Sequence, residues 1–206
     1  MQFDTAQLTS KQNYKLLSGL VIPRPIGWIS TVSTDNIYNV APYSFFNGVA
    51  GSPPHVMFAS GWVNNEPKDS LRNILDTGEF VANLVDEATV EKMNLTATIL
   101  PAEVDEFKFA ELTAVPCEKI KVPRVKESKA SFECQMVHTY DIKNDDGTMS
   151  YTMVVGKVIY MHVDDGILMD DYKINVNAYQ PIGRLAGPQY ARINDLFEID
   201  RLPSQK

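Results

Sequence analysis

Two stretches of this sequence carry side chains whose types and spacing could do chemistry together. In the first, Ser44, Phe45, Phe46 and Asn47 run consecutively, with Ser52 shortly after. Aromatic faces can cover a ring, and hydroxyl, amide and backbone N–H groups can meet heteroatoms at its rim. The stretch therefore suits a flat ligand with polar edges. The same residues serve equally well as a barrel corner with two core phenylalanines. In the second, Lys68, Asp69 and Ser70 stand where a loop meets a helix start. Unpaired N–H groups there point outward and carry partial positive charge. An added ammonium and hydroxyl make a cradle for a phosphate. In the competing reading Asp69 is simply the helix cap, and its carboxylate occupies the same donors.

Other candidates are single residues. Arg24 lies between Pro23 and Pro25, whose fixed backbones can aim a guanidinium at an anion, or leave it in a surface ion pair. Trp28 and Trp62 suit a pocket wall or the core. His55, His138 and His162 are scattered, and neither they nor Cys117 and Cys134 show metal-ligand spacing. The expectation is no metal and two unpaired, mostly buried thiols. There is no G-x-S-x-G elbow, no paired-carboxylate spacing, and no G-x-G-x-x-G after a strand. A chain without an obvious acid, base or nucleophile, but with a ring-friendly stretch and a phosphate cradle, fits chemistry carried by a bound cofactor.

The elements that must position these residues are mostly strands. A helix is expected over residues 9–19, capped by Thr9 or Ser10 and ended by Gly19. Strands follow over 26–33, 37–43, 55–60 and 79–85. Residues 44–54 break up, because Gly48, Gly51, Pro53 and Pro54 punctuate them. Residues 61–67 read as a polar loop carrying Trp62. A helix over 70–76, capped by Asp69, presents Leu71, Ile74 and Leu75 to the core and ends before Gly78. A further helix is expected over 87–95, and irregular chain with one helical turn over 101–112. Two long strands, 131–142 and 149–163, pair across the turn at Asn144-Asp-Asp-Gly147. The tail over 175–193 reads mostly as loop. Hairpin-linked strands with a few helices between them predict one domain, mainly β with short helices, rolled into an antiparallel barrel.

The length of 206 residues allows a sizeable core without staples. A net charge of −7 argues against nucleic acid and against an anionic membrane surface as partners. No apolar run reaches the length of a membrane span, and the first residues lack the basic start and apolar stretch of a signal peptide. The expected compartment is the cytoplasm.

Several blocks stand in the order of a known family: Arg24-Pro-Ile-Gly-Trp-Ile-Ser30, Asn39-Val-Ala-Pro-Tyr-Ser-Phe-Phe-Asn47, Ser52-Pro-Pro54, Lys68-Asp-Ser-Leu-Arg-Asn73, Gly183-Arg-Leu-Ala-Gly187 and Tyr190-Ala-Arg192. From about Tyr14 to Ile193 the chain resembles the flavin reductase-like family with the FMN-binding split-barrel fold, in its flavoredoxin-like branch. The resemblance implies a homodimer of split barrels with FMN near the interface. It puts Trp28 and Ser30 beside the flavin, and Ser44, Phe45, Phe46 and Asn47 around its ring and ribityl chain. Lys68, Asp69 and Ser70 would flank the phosphate, with Arg184 and Tyr190 in the tail near the pocket. Gly27, where relatives often carry Ala, would leave slack. The implied activity is hydride transfer from NADH or NADPH to FMN. The alternatives are an FMN electron carrier serving a redox protein partner, and a cofactor-free binding barrel. A covered flavin face would need a movable lid, for which the 181–188 tail and the Trp62 loop are the candidates.

Overall fold

The computed structural model describes residues 1–202. The first helix, α1 (Ser10–Leu20), starts at a full capping box: the Thr9 side chain accepts from the Gln12 N–H and Gln12 answers to the Thr9 N–H. It runs through Gly19 and ends at Val21 instead. After it come β1 (Gly27–Val32), β2 (Tyr38–Tyr43), β3 (Phe46–Gly51), β4 (Pro54–Val63) and the short β5 (Glu66–Pro67). Helix α2 (Asp69–Thr77) leads into β6 (Glu79–Leu84), and α3 (Val90–Leu95) and α4 (Glu106–Phe109) follow. The short pair β7 (Ala114–Val115) and β8 (Arg124–Val125) precedes the long hairpin β9 (Ala130–Lys143) and β10 (Met149–Val163). The tail holds α5 (Val176–Tyr179), β11 (Ile182–Arg184) and β12 (Tyr190–Arg192).

The main sheet runs β2-β1-β6-β9-β10-β4-β3, with β5 attached to β4, and the pairings are antiparallel. Its two ends are consecutive in sequence, so β2 runs directly into β3 and the sheet rolls up into a split barrel. Tyr43 on β2 meets Phe58 on β4 with ring centroids 4.7 Å apart, and the Ala59 N–H donates to the Phe45 carbonyl. The barrel interior holds Ile29, Phe46, Phe58, Phe80 and Val154, and Leu71 and Ile74 of α2 plug one end. A second core lies outside β1, where Trp28, Val40, Met93, Phe107 and Val125 pack together.

Three expectations are corrected here. Residues 46–51 form a strand, exposed from Asn47 onward; at the sheet edge it has no alternation of polar and apolar residues to reveal it. Residues 61–67 are a hairpin, with Trp62 opposite Pro67 and left-handed Asn64 and Asn65 at the turn. The 182–192 segment is a strand pair locked to the body: Arg24 and Arg184 exchange backbone hydrogen bonds, and Gly183 packs so closely on Pro23 that a methyl there would lie 2.6 Å from its Cβ. No helix among the described residues is long and apolar enough to cross a membrane.

Candidate functional site

Helix α2 opens onto a cavity of about 300 Å³. Asn39 and Tyr43 of β2, Lys68 and Ser70 at the helix start, Thr96 after α3 and Glu106 of α4 all line it. An adjoining cleft of about 290 Å³ shares Asn39 and Asp69 with it.

The helix start decides what this cavity can hold. Lys68 occupies the N-cap position and makes no side-chain cap bond. Asp69 is one residue inside the helix, and its carboxylate pairs with Arg72 at 2.6 Å. The expected Asp69 cap is therefore absent, because an i,i+3 guanidinium claims it. The first intrahelical bond runs from the Arg72 N–H to the Lys68 carbonyl. The N–H groups of Asp69, Ser70 and Leu71 thus have no protein acceptor among the described residues. The exposed Lys68 ammonium stands 5.9 Å over the Tyr43 ring, on the same wall. Free amides, the positive end of a nine-residue helix and an ammonium are together the kind of surface that can hold an anion.

Behind this start lies a buried polar chain. The Ser70 hydroxyl donates to Asn39 Oδ1 at 2.6 Å, and Asn39 Nδ2 donates to Glu106 Oε2 at 2.7 Å. The Val40 N–H donates to the same oxygen at 2.6 Å, and Asn73 Nδ2 donates to Thr31 at 3.0 Å. Burial pushes the Glu106 carboxyl up to about 7, aided by the nearby charges of Asp69 and Asp105 and opposed by the Val40 N–H. Ser70 is thus committed inward: it offers the cavity its backbone N–H, not its hydroxyl.

The other sequence candidates divide. Trp28 is completely buried, and its indole N–H donates to Thr96 Oγ1 at 2.8 Å, so it holds a wall residue of the cavity without lining it. Ser30 is also completely buried; its hydroxyl donates to the Pro123 carbonyl at 2.6 Å and accepts from Asn83. Phe46 is in the barrel core, and its ring fills the space beside Gly27, where a methyl would lie 2.8 Å from Phe46 Cγ. The expected slack at Gly27 does not exist. Ser44 and Phe45 lie between β2 and β3, and Asn47 is the second residue of β3. Ser44 accepts from Arg24 Nε at 3.3 Å, half-buried Phe45 sits between Tyr14 and Tyr151, and exposed Asn47 accepts from the Gly48 N–H. Arg24 donates to the carbonyls of Ser18, Val21 and Leu185, so it ties α1 and the tail to the barrel and is not free for an anion. Arg184 stacks 4.5 Å over Tyr190 and donates to the Gly187 carbonyl; neither contact reaches the cavity.

Asn39 and Glu106 are the site residues that sequence reasoning missed. Their pairing spans 67 positions, and only the polar Asn39 in an otherwise apolar strand hinted at a buried partner.

Comparison with known proteins adds the following. The model of the family described as "Flavin reductase like domain" matches residues 18–177. An uncharacterised protein of Aquifex aeolicus (strain VF5) is 42% identical over 196 residues, covering 93% of this chain and 95% of the relative. Nitrilotriacetate monooxygenase component B from Bacillus cereus superposes with a TM-score of 0.93 at 35% identity, over 97% of this chain and 98% of that one. The Pseudomonas fluorescens 2-nitrobenzoate 2-nitroreductase NbaA superposes with a TM-score of 0.88 at 30% identity, over the full length of both chains.

Proposed function

Because the chain belongs to the flavin reductase-like family of flavin-handling oxidoreductases, we propose that it binds FMN and works as an NAD(P)H-dependent flavin reductase. The observation that carries this reading is the uncapped start of α2. An acidic chain has left three backbone N–H groups free and turned the nearest carboxylate away onto Arg72. Lys68 and the N–H groups of Asp69, Ser70 and Leu71 would hold the phosphate. Tyr43 forms the floor next to them, and the β2–β3 junction at Ser44 and Phe45, with Asn47 at the start of β3, continues from it to take the ribityl chain and ring.

FMN, when bound, supplies a ring that accepts hydride from a nicotinamide. The chain's own residues bind, orient and exclude water. Phe45, Tyr14 and Tyr151 give an apolar surface beside the ring position. Burial raises the Glu106 carboxyl to about 7, so it carries less negative charge beside the phosphate at neutral pH than an ordinary carboxylate would. The described residues form one split barrel without a Rossmann-type nicotinamide unit, so we expect the reductant to bind mainly by stacking on the ring.

A cavity of about 300 Å³ is at the small end for a cofactor site, so part of the ligand needs cover from elsewhere. A second copy of the chain supplies it. Val137, Tyr140 and Ile142 near the end of the β9–β10 hairpin and Val49 on β3 are exposed apolar side chains suited to a twofold contact.

Lys68→Ala tests the phosphate assignment by fluorescence titration. One charge-assisted contact is worth about 1.5–3 kcal/mol, so FMN should weaken by roughly 10- to 150-fold while riboflavin binding stays unchanged. Equal losses for both ligands would displace the phosphate from this helix. Anaerobic stopped-flow mixing with NADH and NADPH tests turnover. Bleaching by either supports the reductase, whereas bleaching only by dithionite makes the protein an electron carrier.

A further inference from the structure

Away from the cavity, the fold gathers three metal-ligating side chains that lie far apart in sequence. Glu133 is completely buried on β9, half-buried His162 stands on the neighbouring β10, and half-buried Cys117 comes from the connection between β7 and β8. The thiol sulfur, a carboxylate oxygen and an imidazole nitrogen all lie within 4.8 Å of one another. We propose that Cys117, Glu133 and His162 form a binding site for a divalent metal ion of the zinc class.

The ligand types fit that class. A thiolate, an imidazole and a carboxylate suit zinc, whereas calcium and magnesium take oxygen ligands throughout. Zinc bonds of about 2.0–2.3 Å place neighbouring ligand atoms about 3.3–3.8 Å apart, so the cluster closes with side-chain adjustment alone. Glu133 is already oriented: its Oε1 accepts from the Glu118 N–H and its Oε2 from the Lys119 N–H, each at 2.7 Å. His162 Nε2 lies 2.7 Å from Oε1, and an ion entering between them replaces that contact.

Access exists as well. His162 borders a cleft of about 410 Å³, which gives the ion a path in and leaves a fourth position for water or a small anion. Arg124 and Lys126 also line this cleft and oppose a bare cation, while Lys129 is engaged with Asp86. The site is neutral only if Cys117 releases its proton to solvent on binding, so that thiolate and carboxylate together balance the dication. Pinning the loop does not explain the cysteine. The Glu133 bonds to Glu118 and Lys119 already tie that loop to the barrel, and a thiol is a weak hydrogen-bonding partner.

The experiment uses the purified full-length protein, stripped of metal by a chelator and with its flavin retained, titrated with Co²⁺. A difference spectrum against the same protein without Co²⁺ should show a thiolate-to-cobalt charge-transfer band that saturates at one ion per chain. Zn²⁺ should displace it and raise the melting temperature. The band should vanish in Cys117→Ser, and His162→Gln should bind about tenfold or more weakly. Absence of the band in the unmodified protein overturns the proposal, as does its persistence in Cys117→Ser, which would assign it to Cys134. Should Cys117→Ser not fold, unchanged Co²⁺ affinity in His162→Gln is equally decisive against it.

Discussion

Glu106 gives the site a measurable pH signature. Its carboxyl titrates near 7 in the folded protein and in the ordinary range near 4.5 when unfolded. Between those values the native state holds more protons than the unfolded one, so stability falls as pH rises from about 4.5 to 7. The upper bound is about 3 kcal/mol, at 1.36 kcal/mol per unit. Glu106→Gln keeps an acceptor for Asn39 and Val40 and cannot ionise. Chemical denaturation across that range should therefore show a flatter profile for the variant; parallel profiles would remove Glu106 as the titrating group. Gly27 makes a second prediction at this scale. Because the Phe46 ring occupies the space beside it, Gly27→Ala should cost about 1–3 kcal/mol in urea denaturation. No loss would mean the ring can yield.

Among elements, β6 carries the residue that locks the outer layer to the barrel. Asn83 uses all four of its side-chain hydrogen-bonding positions, donating to the Trp28 carbonyl and Ser30 and accepting from the Val125 N–H and Ser131. Asn83→Ala orphans several buried groups at about 1–3 kcal/mol each, so a loss well above that of an average core substitution is expected by thermal or urea unfolding. The strands and their order of hairpins are legible in sequence, because Trp28–Val32 and the 131–163 hairpin carry clear strand formers and turn residues. The start of α2 is legible to within a residue, but its electrostatics are not: nothing local says that Asp69 will prefer Arg72 to the helix amides. β3 is hidden because Gly48 and Gly51 in an edge strand, with Pro53 and Pro54 just past its end, look like loop. Asn39 and Glu106 meet only through tertiary packing, and so do Trp28 and Thr96; a polar residue in the apolar β2 hints that Asn39 has a buried partner, but nothing local says which.

At the scale of the whole molecule, the proposed twofold contact rests on the exposed apolar residues Val137, Tyr140 and Ile142 of β9. Sedimentation should give a dimer mass at micromolar concentration, and Tyr140→Glu should shift it to a monomer with weakened FMN binding. A monomeric native protein that holds FMN tightly would break the link between assembly and site. The uncapped helix also matters to more than one ligand contact. A helix start without a cap typically forfeits about 1 kcal/mol, and here that deficit sits beside a cavity and against the plug residues Leu71 and Ile74. Whatever anion fills the gap finishes the folding of that end of the barrel. With the proposed FMN site, occupancy would set lifetime: protein made when flavin is scarce would open at α2 more often and be cleaved there first, while the loaded form would gain stability with the logarithm of flavin concentration over its dissociation constant. Limited proteolysis with and without FMN would read this directly. The cell's flavin supply would then set how much of this protein persists.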